Sequence, residues 1–161
     1  MKNNSKFYFL NIMLFALVCS GVAAAQQKNA LQKAIDKHIA AEAAKEAGAV
    51  EYAEGRITVE GDVDGDGDKD TVVQYTLEGG GGGNNYGQSI AVFINTKGAY
   101  KASANTAVGG KLSRTFTLKT VSKGKITGAT ETCTDSAQGA CENPKKGTAS
   151  FSFKKNKLKE L

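Results

Sequence analysis

The sequence lacks the common combinations of catalytic side chains. Its 161 residues include a single histidine, His38, and no G-x-S-x-G segment that would present a nucleophilic serine at a sharp turn. A hydrolase needs a nucleophile with a base, two carboxylates in a cleft or an open metal site. His38 falls on the apolar stripe of a predicted helix, and no obvious nucleophile accompanies it. We therefore interpret His38 as a structural histidine and expect the protein not to be an enzyme.

Long apolar runs are also absent. The run from Phe7 to Val18 is shorter than the roughly 20 residues that a membrane-spanning helix needs. Lysines precede it and small residues follow it, an order typical of a secretory signal peptide. We predict that residues 1–25 are a signal peptide and that residues 26–161 form one domain in the periplasm or outside the cell, with no membrane span after cleavage. A membrane anchor is the alternative, and a lipoprotein signal at Cys19 is disfavoured because Val18 precedes it.

Cysteine is scarce, and this excludes a zinc site of the usual kind. Cleavage of the signal removes Cys19 and leaves Cys133 and Cys141. Two thiolates with no histidine or third cysteine nearby are a poor ligand set for zinc. In an exported protein such a pair most simply forms a disulfide. The bridge would close a short loop and stabilise the fold by about 2–3 kcal/mol.

Each half of the chain has fewer charges of one sign than of the other. The formal net charge is +5, but residues 26–95 carry six basic and twelve acidic side chains, whereas residues 96–161 carry thirteen basic and four acidic ones. No aromatic residues are interleaved with the lysines in a nucleic-acid reading motif, so we expect no nucleic acid partner. The lysines are scattered through strand-like segments. We interpret them as a solvated face, with an anionic polymer as the alternative partner.

What the sequence does contain is one dense run of carboxylates between Gly61 and Asp70. Aspartates occupy every second position with glycines between them, so the run needs a cation to settle into one compact shape. Loop positions 1, 3, 5 and 9 would supply side-chain oxygens, position 7 a backbone carbonyl, and Gly67 the sharp turn at position 6. The predicted calcium ligands are therefore the side chains of Asp62, Asp64, Asp66 and Asp70 and the backbone carbonyl of Asp68. An acidic hairpin that simply stays solvated is the alternative.

The segment Asp62-Val-Asp64-Gly-Asp66-Gly-Asp68-Lys-Asp70 resembles the D-x-[DN]-x-D-G-x-x-D calcium loop of FG-GAP/VCBS-type and dockerin-like modules, which usually carry several copies of it. That resemblance implies calcium and a loop that runs straight into a strand. The acidic loop of this chain differs from a regular EF-hand loop because Val73 stands at position 12, where a bidentate glutamate is expected. Only one copy is present, which excludes a propeller. The layout of helix, acidic loop and glycine run also resembles small periplasmic proteins of bacteria whose function is unassigned.

The rest of the chain predicts a mainly β fold with an N-terminal helix (α+β). A 3.6-residue apolar stripe predicts the helix over residues 27–48, docked on a sheet. From Ile57 onward apolar and polar residues alternate, and turn signals recur about every ten residues. We therefore predict an antiparallel sheet or sandwich of six to eight short strands. The pair Gly109-Gly110 is read as a turn, and Leu112 is placed on the apolar face of the strand after it.

Two functions from different classes are consistent with these features. The first is an exported, non-enzymatic domain, monomeric by expectation, that binds calcium in a structural or binding role. The second is a periplasmic inhibitor or accessory protein that binds an envelope enzyme or an anionic polymer. It would use the glycine-rich loop Gly79–Gly87 or the lysine-rich half. That loop is not a phosphate-binding loop, because a strand-like segment follows it instead of a helix with a Lys-Ser/Thr pair.

Overall fold

Strands dominate the computed structural model of the chain, which describes residues 25–134, 141 and 143–161. One helix, α1, covers residues 25–43, and nine antiparallel strands form one sheet. The strands are β1 (Val50–Glu51), β2 (Ile57–Gly61), β3 (Asp70–Glu78), β4 (Tyr86–Thr96), β5 (Ala99–Gly110), β6 (Arg114–Ser122), β7 (Lys125–Thr132), β8 (Lys145–Lys154) and β9 (Lys157–Glu160). The predicted fold class is confirmed. The structure has one strand more than the predicted maximum of eight, and the shortest of the nine is the two-residue β1.

The sheet folds over on itself into two layers. Its strand order is β1-β3-β4-β5-β6-β7-β8-β9, and β2 pairs with β3 beside β1. Most neighbours pair over many residues, but β5 and β6 share only the pair Gly110↔Arg114. This interruption lets the second half of the sheet, β6–β9, turn and lie against the face of the first half.

The space between the two layers is the larger hydrophobic core. Its buried side chains come from both halves of the sheet: Val63, Val72, Ile90, Val92, Val108, Phe116, Leu118, Ile126, Ala149, Phe151 and Phe153. Alternation along each strand sends these residues inward and leaves polar residues outside. Phe116 and Phe151 meet edge to face, with ring centroids 5.7 Å apart.

Helix α1 covers the other face of β3 and β4. Its Ile35 and Ile39 are buried against a second cluster made of Val73, Tyr75, Ala91 and Phe93. The docking face predicted from the apolar stripe is therefore correct, whereas the predicted end at Gly48 is not. Regular helix ends at residue 43, because the N–H groups of Lys45 and Glu46 bond three residues back and begin a run of turns. Gly48, at φ +80°, closes that run rather than the helix.

Two glutamines join the layers through the core. The amide of Gln74 on β3 donates to the Phe116 carbonyl and accepts from the Leu118 N–H, both at 2.8 Å. Gln88 on β4 accepts from the Phe116 N–H at 2.9 Å. These side chains satisfy backbone groups of β6 that would otherwise be buried without partners.

The segment around Gly109 differs from the prediction. Both Gly109 and Gly110 belong to β5, and the turn comes after them. A Cβ atom on Gly109 would lie 2.1 Å from the Arg114 carbonyl, so glycine is needed for the close approach of two strands. Leu112 is then in the turn at φ +57° and is exposed, not on the apolar face of a strand.

The predicted bridge between Cys133 and Cys141 is confirmed, with the two Cα atoms 5.6 Å apart. The predicted signal peptide lies almost wholly outside the described residues, which begin at Ala25. Within the described part of the chain, no helix is long and apolar enough to cross a membrane.

Candidate metal centre

The acidic loop connects β2 to β3 and is built on a closed base. Gly61 and Asp70 face each other as the last antiparallel pair of the two strands. Between them the chain turns at Gly65 and Gly67, both near φ +90°, a left-handed conformation that side chains with a Cβ adopt at a cost. The glycine predicted to turn the loop, Gly67, is in the conformation that such a turn needs.

Asp70 ties the loop to the body of the protein. Its side chain is fully buried, and each carboxylate oxygen accepts one backbone hydrogen bond. Oδ2 accepts from the Val63 N–H at 2.8 Å, and Oδ1 accepts from the Asn95 N–H at 2.9 Å. Val63 is itself buried in the core between the layers. The aspartate and the valine therefore hold the two ends of the loop in place together.

Asn95, at the end of β4, was not predicted as part of the site. Besides its bond to Asp70, its side-chain amide donates to the Lys69 carbonyl at 3.1 Å and accepts from the Gly98 N–H at 2.8 Å. It links the acidic loop to the β4–β5 turn. The signal that could have revealed it is an asparagine two residues before the Lys97-Gly98 turn, because asparagine often hydrogen-bonds the backbone of such turns.

The remaining aspartates shape the loop by accepting hydrogen bonds from its own backbone. Asp62 accepts from the N–H groups of Gly65 and Gly67, at 2.6 and 3.3 Å. Asp64 accepts from the Asp66 N–H at 3.2 Å, and Asp66 in turn accepts from the Asp68 N–H at 2.8 Å. Each bond spans a few residues, so the loop is wound around its carboxylates.

Three of the five predicted ligands converge. One carboxylate oxygen from each of Asp62, Asp64 and Asp70 lies within 4.8 Å of the other two. The side chains of Asp66 and Asp68 are outside this group. Asp66 was predicted to contribute its side chain and Asp68 its backbone carbonyl, and both roles stay predictions. Val73, at position 12, is fully buried under α1 and offers no ligand.

The surroundings of Asp64 shift the pKa of its carboxyl. Partial desolvation within the loop raises the pKa of its carboxyl above the ordinary value, and the negative charges of Asp70, Asp66 and Asp62 raise it further. The hydrogen bond from the Asp66 N–H acts in the opposite direction. In residues 25–134, 141 and 143–161, no lysine or arginine forms an ion pair with a loop aspartate. No protein cation among them compensates the clustered charge.

The donor set fits a hard cation. Every candidate ligand is an oxygen, which suits calcium or magnesium and disfavours zinc. Calcium accepts six to eight oxygens in irregular arrangements, whereas magnesium demands a near-octahedral set. An irregular loop that brings several carboxylates together therefore suits calcium better.

His38 offers no second site. Its ring meets the edges of Tyr75 and Phe93, with centroids 6.1 and 5.6 Å away, beneath the helix. Its Nε2 atom is buried and has no hydrogen-bond partner among the described residues. The half-buried ring and its aromatic neighbours fit the predicted structural role, which stays a prediction.

No protein-family model matches this chain, and the searches of curated proteins and of solved structures found no match either.

Proposed function

We propose that the protein is an exported, non-enzymatic domain that binds calcium through the loop between β2 and β3. The side chains of Asp62, Asp64, Asp66 and Asp70 and the backbone carbonyl of Asp68 would hold the ion. The observation that carries this proposal is the convergence of three carboxylates, from Asp62, Asp64 and Asp70, within 4.8 Å. The disulfide supports an exported location, because such bridges persist in oxidising compartments.

The burial of Asp70 favours this function over that of a solvated acidic turn. A purely solvated hairpin would leave its carboxylates in water, where they repel one another weakly. Here one carboxylate is fully buried and directs an oxygen toward two others. Two backbone N–H groups partly compensate its charge, and a divalent cation would compensate the rest.

The expected role of calcium is to fix the loop and thereby stabilise the domain. Calcium at 100 times its dissociation constant would add about 2.7 kcal/mol to the free energy of unfolding. Because position 12 provides no glutamate, we expect weak binding, with a dissociation constant of about 10⁻⁴–10⁻³ M, as in extracellular modules.

Calorimetric titration with calcium and with magnesium, together with melting curves, tests the proposal. Wild-type protein should show calcium binding and a higher melting temperature in calcium, with a smaller response to magnesium. Asp64→Asn should abolish the calcium-dependent rise. Glu78→Gln removes one negative charge at the other end of β3, about 27 Å from Asp70 along the strand. This control should leave the calcium-dependent rise in melting temperature unchanged.

Two results would contradict the proposal. If millimolar calcium gives no heat and leaves the wild-type melting temperature unchanged, the loop is a solvated acidic turn. An equal loss of the response in Asp64→Asn and Glu78→Gln would show that calcium acts on overall charge and not on this site.

A further inference from the structure

Lysines that are scattered in the sequence gather at one end of the β6–β9 layer. Two hairpin turns lie there, Lys123-Gly124 between β6 and β7 and Lys155-Asn156 between β8 and β9. The Gly124 carbonyl accepts a hydrogen bond from the Phe153 N–H at 2.8 Å, which holds the first turn beside the end of β8. Six lysines belong to this end: Lys123, Lys125, Lys154, Lys155, Lys157 and Lys159.

Four of these lysines form a frame on the outer face of the layer. Lys125 on β7 and Lys159 on β9 flank Ser152 of β8 in one cross-strand row. Lys154 and Lys157 face each other in the next row. The residues alternating with them, among them Phe153 and Leu158, pack into the core, so all four lysines are on the solvent side. We call these four lysines the lysine frame.

The lysine frame has no acidic partner. Across the described part of the chain, none of its members forms an ion pair, whereas Lys146 at the far end of β8 pairs with Glu131. Like charges directly opposite each other on neighbouring strands are destabilising. Lys154 and Lys157 bear this repulsion in the folded protein. An edge strand benefits from lysine, but Lys125 and Lys154 are on interior strands, where that benefit does not apply.

The acidic loop lies beside this end and still does not pair with the lysines. The Val63 carbonyl lies 3.3 Å from the position that a Cβ would take on Gly124, so loop and turn are in contact. Opposite charges placed at one end of a molecule, without ion pairs between them, are each available to a separate partner. For the lysines that partner is an anion.

We infer that the lysine frame is a binding surface for a linear polyanion built of phosphate groups. Neighbouring strands are about 5 Å apart and successive outward residues about 7 Å apart, so the four charges spread over an area that one small anion cannot span. A chain of phosphates can contact all of them. Hydroxyl side chains continue the surface along β7 and β8, at Thr127, Thr148, Ser150 and Ser152. No large apolar side chain on the outward positions of these two strands would enter a lipid bilayer.

The inference does not depend on calcium binding by the neighbouring loop, and a chelator keeps calcium out of the test. Fluorescence anisotropy with labelled inorganic polyphosphate measures the affinity of the wild type and of the double variant Lys154→Gln/Lys157→Gln. We expect the dissociation constant to rise about 10- to 30-fold at 0.1 M salt, and the slope of log K against log salt to fall by about 1.4 for the two lost contacts. The pair Lys125→Gln/Lys159→Gln should behave in the same way.

A matched control separates the frame from overall charge. Lys33→Gln/Lys37→Gln removes the same two charges from exposed positions on α1 and should change the affinity by less than about twofold. The melting temperature of Lys154→Gln/Lys157→Gln should be equal to or above that of wild type, because the cross-strand repulsion is gone. That readout shows that a loss of binding is not a loss of folding.

Three results would overturn the inference. One is no binding of wild-type protein to polyphosphate at 0.1 M salt. Another is an equal loss of affinity in the helix control, which would reduce the effect to net charge. The last is binding to vesicles of anionic phospholipid without binding to polyphosphate, which would make a membrane surface the partner.

Discussion

Two glycine-rich loops lie at the two ends of strand β3, and they are held in different ways. The acidic loop before Asp70 is fixed by carboxylates that accept hydrogen bonds from Val63, Gly65, Asp66, Gly67 and Asp68. The loop after Glu78 has no carboxylate acceptor. Its Gly79 N–H donates to the Asn85 carbonyl at 3.0 Å, its Gly82 N–H donates to the Gly79 carbonyl at 3.1 Å, and the Lys111 ammonium donates to the Asn84 carbonyl. At Gly81, Gly82 and Gly83 an added Cβ would meet nothing within 4 Å.

The difference shows how side-chain oxygens can take the place of a hydrophobic core. Both loops contain glycines at positive φ, and the acidic loop buries a single apolar side chain, Val63, in the core. Carboxylates that accept backbone hydrogen bonds supply the ordering in the acidic loop, and Asp70 connects it to two buried strands. The glycine loop has no such acceptors at its tip, so we expect it to be the more mobile of the two.

Removal of Asp70 should have the largest effect on this contrast. Asp70→Ala leaves the buried N–H groups of Val63 and Asn95 without acceptors, at a cost of about 1–3 kcal/mol each. We expect a loss of about 3–5 kcal/mol in the free energy of unfolding, measured by urea denaturation in a chelator. Asp70→Asn keeps one acceptor and should lose about half as much. A loss below about 1 kcal/mol in Asp70→Ala would mean that the carboxylate does not anchor the loop.

The pair Gly67→Ala and Gly81→Ala compares the two loops with one chemical change. Both glycines are at positive φ with open space around them, so strain in the backbone is the only expected penalty. In the acidic loop the hydrogen bonds prevent relaxation, and we expect Gly67→Ala to cost about 1–2 kcal/mol. In the glycine loop the chain can shift, and Gly81→Ala should cost less than about 0.5 kcal/mol. Equal costs in urea denaturation would show that the glycine loop is as constrained as the acidic one.

The smallest predicted effect is a pH dependence that belongs to Asp64. Its pKa is raised in the folded protein, so the folded state holds the proton more tightly than the unfolded state. In the absence of calcium, deprotonation of Asp64 should therefore lower the free energy of unfolding. The loss should begin as the pH rises from just below the ordinary carboxyl pKa and be complete above the raised pKa. Asp64→Asn should flatten this part of the stability profile, measured by melting temperature against pH. An unchanged slope in the variant would assign the effect to another carboxylate.

Much of the fold could be predicted because its signals are local in the sequence. Alternation along the strands, the helical stripe through Ile35 and Ile39 and the spacing of the aspartates each depend on residues a few positions apart. The lysine frame was not predicted, because only the pairing of β7 with β8 brings Lys125 beside Lys154, Lys157 and Lys159. Asn95 was not predicted as part of the site, because its bonds to Lys69 and Asp70 join positions 26 and 25 residues apart. Gly109 was misread for a related reason: a glycine pair indicates a turn and a close approach of strands equally well, and only the position of Arg114 distinguishes them.

The two glutamines that join the layers also bear on how the molecule behaves in a crowded solution. Strand β6 pairs with β5 at a single residue pair, so most backbone groups on that side of β6 have no strand partner and would be buried unsatisfied within the core. Gln74 and Gln88 occupy those groups at Phe116 and Leu118. The sheet then ends in short strands, β1 and β2 on one side and β9 with two lysines on the other. Short and charged edge strands are poor templates for intermolecular β-sheet growth, so these edges disfavour aggregation.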